Sequence, residues 1–297
     1  MAPVTAIGVG EILWDVMPHG RTLGGAPANF AYHINALGGV GIPVSRIGND
    51  DLGREAVFVL GENRVSAEHI SIDQIFSTGT VNATIDEHGV ATYTFPDNVA
   101  WDFLAFDETT RTLAGTSDII CFGTLAQRSE VSRKAIKKLL VGAPQALQIY
   151  DINLRQDFYT PGRIRASLAL ADVLKINDDE LRLMIDMFSL PDSEREALDV
   201  LLCRHDLKLA VLTRGSRGSL ILSPTDVSDL PGTPTSVVDT IGAGDSFTAA
   251  MALAYLHGQS LDEINRYATR VAAHVCGQAG AMPPMPEELR ITTQISE

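Results

Sequence analysis

Short apolar runs alternate with amphipathic or alanine-rich stretches along most of the chain. Runs that are apolar and end at polar clusters predict core strands. The predicted core strands lie at 4–9, 44–47, 118–122, 147–152, 173–176 and 209–212. Longer periodic segments, such as 130–140 and 246–256, predict helices. Strands that alternate with helices are typical of a mostly parallel sheet flanked by helices, so the pattern predicts an α/β fold.

A looser pattern with period two interrupts these units within the first hundred residues. Residues 70–87 and 89–95 alternate between apolar and polar side chains, which predicts additional strands. Residues 86–89 predict a hairpin turn between these two strands. No internal repeat, low-complexity segment or flexible linker divides the chain, so we expect a single domain over 1–297.

Composition narrows the classes of function. The 297 residues include 45% hydrophobic side chains, enough for a sizeable core, and the formal net charge is −14. Such an acidic chain is not expected to have nucleic acid as its main partner, because phosphate backbones attract lysine and arginine. An anionic nucleotide would instead have to be held by local N–H groups and a metal ion.

Cysteine usage and the first residues indicate the compartment. Cys121, Cys203 and Cys276 lie far apart in apolar segments, which is typical of reduced core residues in a cytoplasmic protein. Residues 1–13 contain no basic side chain and are interrupted by Glu11, so they do not have the pattern of a signal peptide. No apolar run is long enough to span a membrane, and we therefore expect a cytoplasmic protein without a membrane partner.

The stretch 237–247 carries the strongest chemical signal. Two β-branched residues precede a turn of small residues, Gly242, Ala243 and Gly244, which opens an apolar, alanine-rich helix. Backbone N–H groups at such a helix start suit a phosphate or a developing oxyanion, and the helix dipole adds to this preference. Asp245 would repel a phosphate there unless it accepts a proton from an attacking hydroxyl. The alternative role is an acid that only stabilises the helix start.

Other nucleotide-binding motifs are absent or incomplete in the sequence. The chain has no Gly-x-x-x-x-Gly-Lys-Ser/Thr loop and lacks the protein-kinase motifs. Gly8 and Gly10 begin a dinucleotide-binding pattern, but Leu13 occupies the position of its third glycine. The candidate phosphate site is therefore typical neither of a P-loop enzyme nor of a dinucleotide-binding protein.

Two segments together resemble the signatures of the PfkB, or ribokinase-like, family of carbohydrate kinases. The string Asp-Thr-x-Gly-Ala-Gly-Asp at 239–245 is similar to the second signature, and 24–39 is similar to the first. In the first signature, Gly24 and Gly25 would let the backbone approach a small ligand, and Asn29 offers the donor and the acceptor that a polyol needs. Helix capping is the alternative role for Asn29.

The resemblance implies a ribokinase-like fold, with a mostly parallel sheet flanked by helices. A small β lid, formed here by about 12–24 and 78–100, would cover the sugar. In this family an aspartate at the place of Asp15 binds sugar hydroxyls, and the alternative for Asp15 is a strand residue on a solvated face. Whether the chain forms a homodimer through the lid is left open.

For the nucleotide, the resemblance implies ATP with Mg²⁺. The implied nucleotide-binding positions are Asn177, Thr213, Gly215, Gly218 and Gly244. Asn177 and Glu180 match an Asn-x-x-Glu motif that organises Mg²⁺ largely through water, although the same residues would also form a helix capping box. Thr269 stands where many relatives have an asparagine that meets the adenine, so that contact is in question.

Some relatives bind a monovalent cation beside the second signature. Asp239 and the carbonyl of Ile241 match ligands of that site. Pro284 replaces a serine that ribokinases carry near its distal half, so dependence on K⁺ stays open.

The choice of sugar depends on three stretches. Residues 10–11, 123–127 and 151–155 are more similar to bacterial fructokinases than to ribokinases. This similarity implies that ATP phosphorylates a primary hydroxyl of fructose, giving fructose 6-phosphate. Arg155 keeps 2-keto-3-deoxygluconate kinase open, because a guanidinium could hold the carboxylate of a sugar acid, and a surface salt bridge is its other role. Ribokinase and a non-catalytic sugar-binding sensor on a kinase scaffold also stay open.

Overall fold

The computed structural model describes residues 2–17, 20–85 and 91–291. Within these residues the strands are β1 (Thr5–Val9), β2 (Leu13–Met17), β3 (Gly20–Gly24), β4 (Val40–Gly48), β5 (Ile70–Asp73), β6 (Gly79–Ile85), β7 (Ala91–Thr94), β8 (Ile119–Phe122), β9 (Leu147–Asp151), β10 (Val173–Asn177), β11 (Leu209–Thr213), β12 (Ser219–Leu222) and β13 (Val227–Leu230). The α-helices in the same part are α1 (Ala26–Ala36), α2 (Asp51–Glu62), α3 (Glu108–Thr116), α4 (Glu130–Val141), α5 (Pro161–Leu168), α6 (Asp178–Phe188), α7 (Glu194–His205), α8 (Ala243–Leu256) and α9 (Leu261–Cys276).

The larger sheet has nine strands in the described residues, in the order β13-β12-β11-β10-β9-β8-β1-β4-β5. From β11 to β5, every pair of neighbouring strands is parallel. At the other edge, β12 pairs antiparallel with β11, and β13 pairs antiparallel with β12. The prediction of an α/β fold with a mostly parallel sheet is confirmed.

Helices cover both faces of this sheet because successive strand residues point to opposite sides. Ile7 and Ile120 belong to a core that α4, α5, α6 and α7 close. Ala6 and Ile119, their neighbours in sequence, belong to a second core that α1, α8 and α9 close. A strand buried on both faces is continuously apolar, which is why the sequence shows unbroken apolar runs. No helix in the described part of the chain is both long and apolar enough to cross a bilayer.

The smaller sheet has four strands in the described residues, in the order β3-β2-β6-β7. The pair β2 and β6 is parallel, and the pairs β2 with β3 and β6 with β7 are antiparallel. Trp14 and Leu23 from this sheet pack against Ala28 and Tyr32 of α1 in a third apolar cluster. The strands come from within 12–24 and 78–100, whereas the predicted turn at 86–89 lies outside the described residues.

One predicted strand belongs to the other sheet. We expected 70–87 to contribute to the lid, but its first part, β5, pairs in parallel with β4 at the edge of the main sheet. The helix α2 makes the crossover that a parallel pair of strands requires. Asp73 then ends the strand, because its Oδ1 accepts hydrogen bonds from the N–H groups of Ile75 and Phe76 at 2.7 and 2.9 Å. The extended stretch is therefore interrupted before β6 begins.

The position of β1 determines where a ligand can bind. One neighbour of β1 is β4, which follows it, and the other is β8, so the chain winds away from β1 in both directions. In sheets of this kind ligands bind outside the carboxyl ends of the strands at the point where the order reverses. The carboxyl ends of β1, β8 and β9 and the start of α8 lie together at that point, around a shared pocket.

Close packing of α1 on β4 requires a glycine. A Cβ added to Gly41 would lie 2.0 Å from the carbonyl oxygen of Ala31, a backbone atom that cannot move independently. We expect Gly41→Ala to lower the free energy of unfolding by about 1–3 kcal/mol, as overpacking does. Gly61→Ala is the matched control, because no atom lies within 4 Å of its added Cβ and alanine favours a helix by about 0.5–1 kcal/mol. Urea unfolding would contradict the packing argument if both variants were equally stable.

Candidate active site

The start of α8 is fixed by a loop from the end of the described chain. Gly242 has a φ of 76°, and a Cβ there would lie 2.6 Å from the carbonyl oxygen of Ala281, so only glycine is accommodated. Asp239 joins the two loops, because its carboxylate accepts from the N–H of Ile241 and from the N–H of Gly280, both at 3.0 Å. The N–H groups of the first turn of α8 have no partners within the helix. That of Ala243 donates to the carbonyl of Thr240 at 3.3 Å, so the N–H groups of Gly244 and Asp245 are the ones left for an anion.

Asp245 lies in that first turn and is held from α1. The amide Nδ2 of Asn29 donates to Asp245 Oδ2 at 2.8 Å, and Asn29 itself is buried. The N-cap of α1 is Gly25, so the capping alternative for Asn29 is wrong. The Oδ1 of Asn29 is buried and accepts no hydrogen bond within the described residues. It is therefore available to accept a hydrogen bond from a ligand hydroxyl beside Asp245.

The surroundings of Asp245 favour its neutral form. Burial, followed by the negative charge of Asp151, raises the pKa of Asp245 to about 6. The hydrogen bond from Asn29 and the charges of Lys175 and Arg155 act in the opposite direction and lower the pKa. Asp245 is consequently a stronger base than an exposed aspartate, yet it is still mostly ionised at pH 7. A general base that operates at neutral pH needs this combination.

A buried ion pair lies beneath the first turn of α8, and our reading of the sequence missed it. Lys175 Nζ donates to Asp151 Oδ1 at 3.1 Å, and the two side chains are only 8% and 6% exposed. Thr248 Oγ1 donates to the other oxygen, Asp151 Oδ2, at 2.9 Å. A Cβ added to Gly244 would lie 3.0 Å from Lys175 Nζ, so the ammonium directly underlies the glycine turn. The available signal was a charged residue within an otherwise apolar predicted strand.

The paired glycines of the first signature are required by close contacts within the chain. A Cβ on Gly24 would lie 2.4 Å from Asp15 Oδ2, and a Cβ on Gly25 would lie 2.4 Å from the carbonyl oxygen of Glu11. The side chain of Asp15 thus lies directly over Gly24 on the small sheet, where β2 pairs with β3. Burial raises the pKa of the Asp15 carboxyl, and the charge of Arg155 lowers it. Asp15 is therefore not simply a strand residue on a solvated face.

Arg155 follows β9 and faces the acidic side of the pocket. Its charge lowers the pKa of Glu11, Asp15 and Asp245, so its guanidinium lies near all three carboxyl groups. The side chain is exposed, and Nη1 donates to the carbonyl of Leu154 at 3.0 Å. None of the ion pairs found within 2–17, 20–85 and 91–291 involves Arg155, so the described structure gives no support to the surface salt-bridge alternative.

Glu180 forms the helix capping box that the sequence also allowed. Its Oε2 accepts from the N–H of Asn177 at 2.9 Å, and the Asn177 side chain accepts from the N–H of Glu180 at 2.8 Å. The other oxygen, Oε1, accepts from the N–H of Leu154 at 2.8 Å. Burial raises the pKa of Glu180, which is only 5% exposed. Since both oxygens already serve backbone groups, this carboxylate suits contact with Mg²⁺ through water and does not suit direct coordination.

The candidate nucleotide residues gather at the ends of β10 and β11. Asn177 and Thr213 are opposite each other in the parallel register of these strands. Gly215 and Gly218 follow with φ values of 55° and 97°, in a turn that other residues adopt with strain. Thr269, from α9, has its Oγ1 3.0 Å from Ser219 Oγ at the start of β12. Thr269, which stands where many relatives have an asparagine that meets the adenine, therefore contacts another side chain of this chain.

The predicted residues form two groups on one edge of the sheet. Glu11 and Asp245 line one pocket together with Asp151, and Asp15, Asn29 and Arg155 adjoin it through the contacts above. The second group is Asn177, Thr213, Gly215 and Gly218. In the described part of the chain, no group of three or more His, Cys, Asp or Glu side chains forms a metal cluster. Asp245, which belongs to the first group, lies at the positive end of α8. A carboxylate at such a helix start, with the second group at the same edge of the sheet, is the arrangement expected of a kinase-type site on a ribokinase-like fold.

Comparisons with known proteins agree with this class. A family model described as pfkB family carbohydrate kinase matches residues 12–288. The chain therefore belongs to the pfkB family of carbohydrate kinases, and the predictions of the family and of a carbohydrate kinase are confirmed. A fructokinase from Klebsiella pneumoniae is 31% identical to it over 298 residues, covering 94% of this chain and 95% of the relative.

Solved structures extend the agreement to the fold. A fructokinase from Xylella fastidiosa with bound ATP matches with a TM-score of 0.81 at 22% identity, covering 95% of each chain. A double mutant of fructokinase from Vibrio cholerae O395, in a fructose, ADP and potassium ion bound form, matches with a TM-score of 0.79 at 22% identity, covering 96% of each chain. These likenesses confirm the ribokinase-like fold that the sequence predicted.

A buried acid in the pocket gives a pH test of the site. Burial, and also the charge of Asp245, raise the pKa of Glu11 to about 7, although backbone hydrogen bonds and Arg155 lower it. Above its unfolded pKa of 4.5, the folded chain holds a proton that the unfolded chain releases, so stability falls as pH rises from about 4.5 to about 7. Glu11→Gln should weaken this fall and add roughly 1–3 kcal/mol to the free energy of unfolding at pH 8.

Unfolding in urea at pH 5, 6, 7 and 8 measures the effect. Glu62→Gln, at an exposed position at the end of α2, is the matched control and should leave the pH slope as in the unchanged chain. An unchanged slope in Glu11→Gln would show that Glu11 is not the buried titrating group.

Proposed function

We propose that the chain transfers the γ-phosphoryl group of ATP to a primary hydroxyl of free fructose, giving fructose 6-phosphate. The observation that carries this proposal is the carboxylate of Asp245, which is half-buried at the start of α8 and held by Asn29 at 2.8 Å. A carboxylate beside an anion site would repel a phosphate unless it accepts a proton. The hydroxyl that attacks the phosphate supplies that proton.

Each residue of this base has a defined task in the proposed transfer. Asp245 takes the proton from the sugar hydroxyl as the oxygen attacks phosphorus. Asn29 holds Asp245 Oδ2 through Nδ2, and its free Oδ1 accepts from a second sugar hydroxyl. The N–H groups around Gly242, Ala243 and Gly244 face the transferring phosphoryl group and stabilise the charge on its oxygens.

ATP and Mg²⁺ are the proposed second substrate and metal. The second group of residues, Asn177, Thr213, Gly215 and Gly218, surrounds the nucleotide in this proposal. When bound, Mg²⁺ would supply positive charge that offsets the negative charge of the phosphates. Glu180 orders the water around that ion, since its two oxygens already accept backbone N–H groups.

The sugar residues are Asp15, Gly24, Gly25, Asn29 and Arg155, with the small sheet, including Asp15, as a lid over the sugar. Likeness to the Klebsiella fructokinase supports fructose. The alternative substrate is 2-keto-3-deoxygluconate, because Arg155 is exposed at the pocket and could pair with its carboxylate. Ribose is the third candidate, and a sensor without turnover is the alternative from another class.

Three further proposals concern a monovalent cation, the oligomeric state and the organisation of the chain as one domain. Asp239 and the carbonyl of Ile241 are the candidate ligands of K⁺, the ion in the Vibrio structure, although Asp239 already accepts two N–H groups. The small sheet exposes Met17 and Tyr93 at 42% and 48%, which supports a homodimer through the lid. The whole chain, 1–297, would act as one domain in the cytoplasm.

A sugar panel separates these candidates. ADP release should be fastest with fructose, slower with 2-keto-3-deoxygluconate and ribose, and at background without sugar. Arg155→Met sharpens the comparison, because losing a charge pair with a carboxylate should raise KM about 10-fold or more for 2-keto-3-deoxygluconate alone. Fructose lacks that carboxylate, so the ratio of the two KM values is the readout. If another sugar is turned over and fructose is not, fructose is rejected as the substrate. If no sugar is turned over, the non-catalytic sensor is favoured.

A further inference from the structure

The Asp151–Lys175 pair has no assigned task in the reaction described above. It is almost completely buried, and Lys175 is the charged member of a strand that is otherwise apolar up to Asn177. Buried ion pairs contribute little net stability compared with apolar residues of similar size, because both charges lose their water. A stabilising role alone therefore does not account for this pair.

Both members of the pair contact the helix turn that carries Asp245. Lys175 lies against Gly244, where an added Cβ would be 3.0 Å from its Nζ. Asp151 accepts from Thr248, which is one helical turn beyond Gly244 on α8. The two opposite charges thus lie against the backbone of the turn that carries Asp245.

We propose that Asp151 and Lys175 are positioning residues: their buried ion pair anchors the first turn of α8 and places one charge of each sign beneath the turn that carries the base. The proposal builds on the proposed role of Asp245 as the base. Lys175 keeps the base ionised at neutral pH, and Asp151 keeps the ammonium from forming a permanent ion pair with Asp245. A base matched in strength to its task follows from the balance of the two.

The direction of each charge effect supports this balance. Asp151 raises the pKa of Asp245, and Lys175 lowers it. Burial acts to lower the pKa of Lys175 itself, but the charges of Asp151, Glu180 and Asp245 outweigh burial and raise it, so the ammonium stays charged. Charges in the interior are screened less by water and salt than exposed ones, so this pair acts strongly on its neighbour.

The other groups that face Asp245 come from three further elements. Glu11, beyond the end of β1, interacts with Asp245 and is about half protonated at pH 7, since its pKa is about 7. Cys121 of β8 remains a neutral thiol, because burial raises its pKa. Arg155 is a cation but is exposed, so solvent screens its charge. Lys175 is consequently the buried cation, among the described residues, that acts on the base.

The test is the pKa of the Asp245 carboxyl in variants of the pair. With ¹³C-labelled aspartate, its resonance is the one missing from Asp245→Asn, and it can be titrated without any substrate. Asp151→Asn should lower this pKa and Lys175→Met should raise it, each by on the order of one pH unit. Lys175→Arg keeps the charge and should restore the original value. Thr248→Val removes a neutral hydroxyl that donates to Asp151 at 2.9 Å and to the carbonyl of Gly244 at 3.0 Å. Because it leaves both charges of the pair in place, it is the matched control, with little shift expected.

The same shifts should appear in the acid limb of kcat/KM with whichever sugar is turned over, so the result does not depend on fructose. Shifts in the same direction, or none, in folded Asp151→Asn and Lys175→Met would overturn the proposal. The double variant removes both charges of the pair and serves if a single one does not fold, with a smaller pKa shift expected than in either single variant. A larger shift of the Asp245 pKa in the double variant would reject the claim that the two charges offset each other. If no sugar is phosphorylated, the proposed function fails while the titration still tests this inference.

Discussion

The burial of one carboxylate at the positive end of a helix is the constraint on which the site depends. Asp245 is half-buried and loses part of its water, and the chain compensates with a hydrogen bond from Asn29 and nearby positive charge. The same helix end must leave its N–H groups open to an anion. These two demands together explain why small residues precede Asp245 and why the neighbouring loops are held so closely.

The main sheet meets these demands by bringing distant segments to one edge. The carboxyl ends of β1, β8, β9 and β10 present Glu11, Cys121, Asp151 and Lys175 towards the start of α8. The helix α1 crosses from the small sheet and contributes Asn29 to the same point. The candidate sugar residues and the candidate nucleotide residues therefore lie at one edge of the main sheet. A direct transfer between two bound substrates requires such a placement.

The sequence was informative wherever a local pattern determines the structure. Unbroken apolar runs predicted the parallel strands, and the small-residue turn before Asp245 predicted the start of α8. It failed where distant segments decide the outcome. The contact of Asn29 with Asp245 joins residues 216 positions apart, so capping and binding could not be distinguished locally. Likewise β5 alternates like a lid strand, and only its pairing with β4 assigns it to the main sheet. The sequence pattern around Glu180 fits both a helix capping box and a Mg²⁺ motif. The hydrogen bonds that Glu180 accepts from backbone N–H groups are visible only in three dimensions.

The central claim, that Asp245 is the base, is tested most directly by kcat and the thermal midpoint of Asp245→Asn at pH 8. Asparagine can still hydrogen-bond the sugar hydroxyl but cannot take its proton, so kcat should fall by about 10²–10⁴-fold. Because the pKa of Asp245 is raised to about 6, its buried charge costs stability at pH 8, and the midpoint should be maintained or rise. An acid that only stabilises the helix start would give near-normal kcat and a loss of roughly 0.3–1 kcal/mol, which would contradict this account.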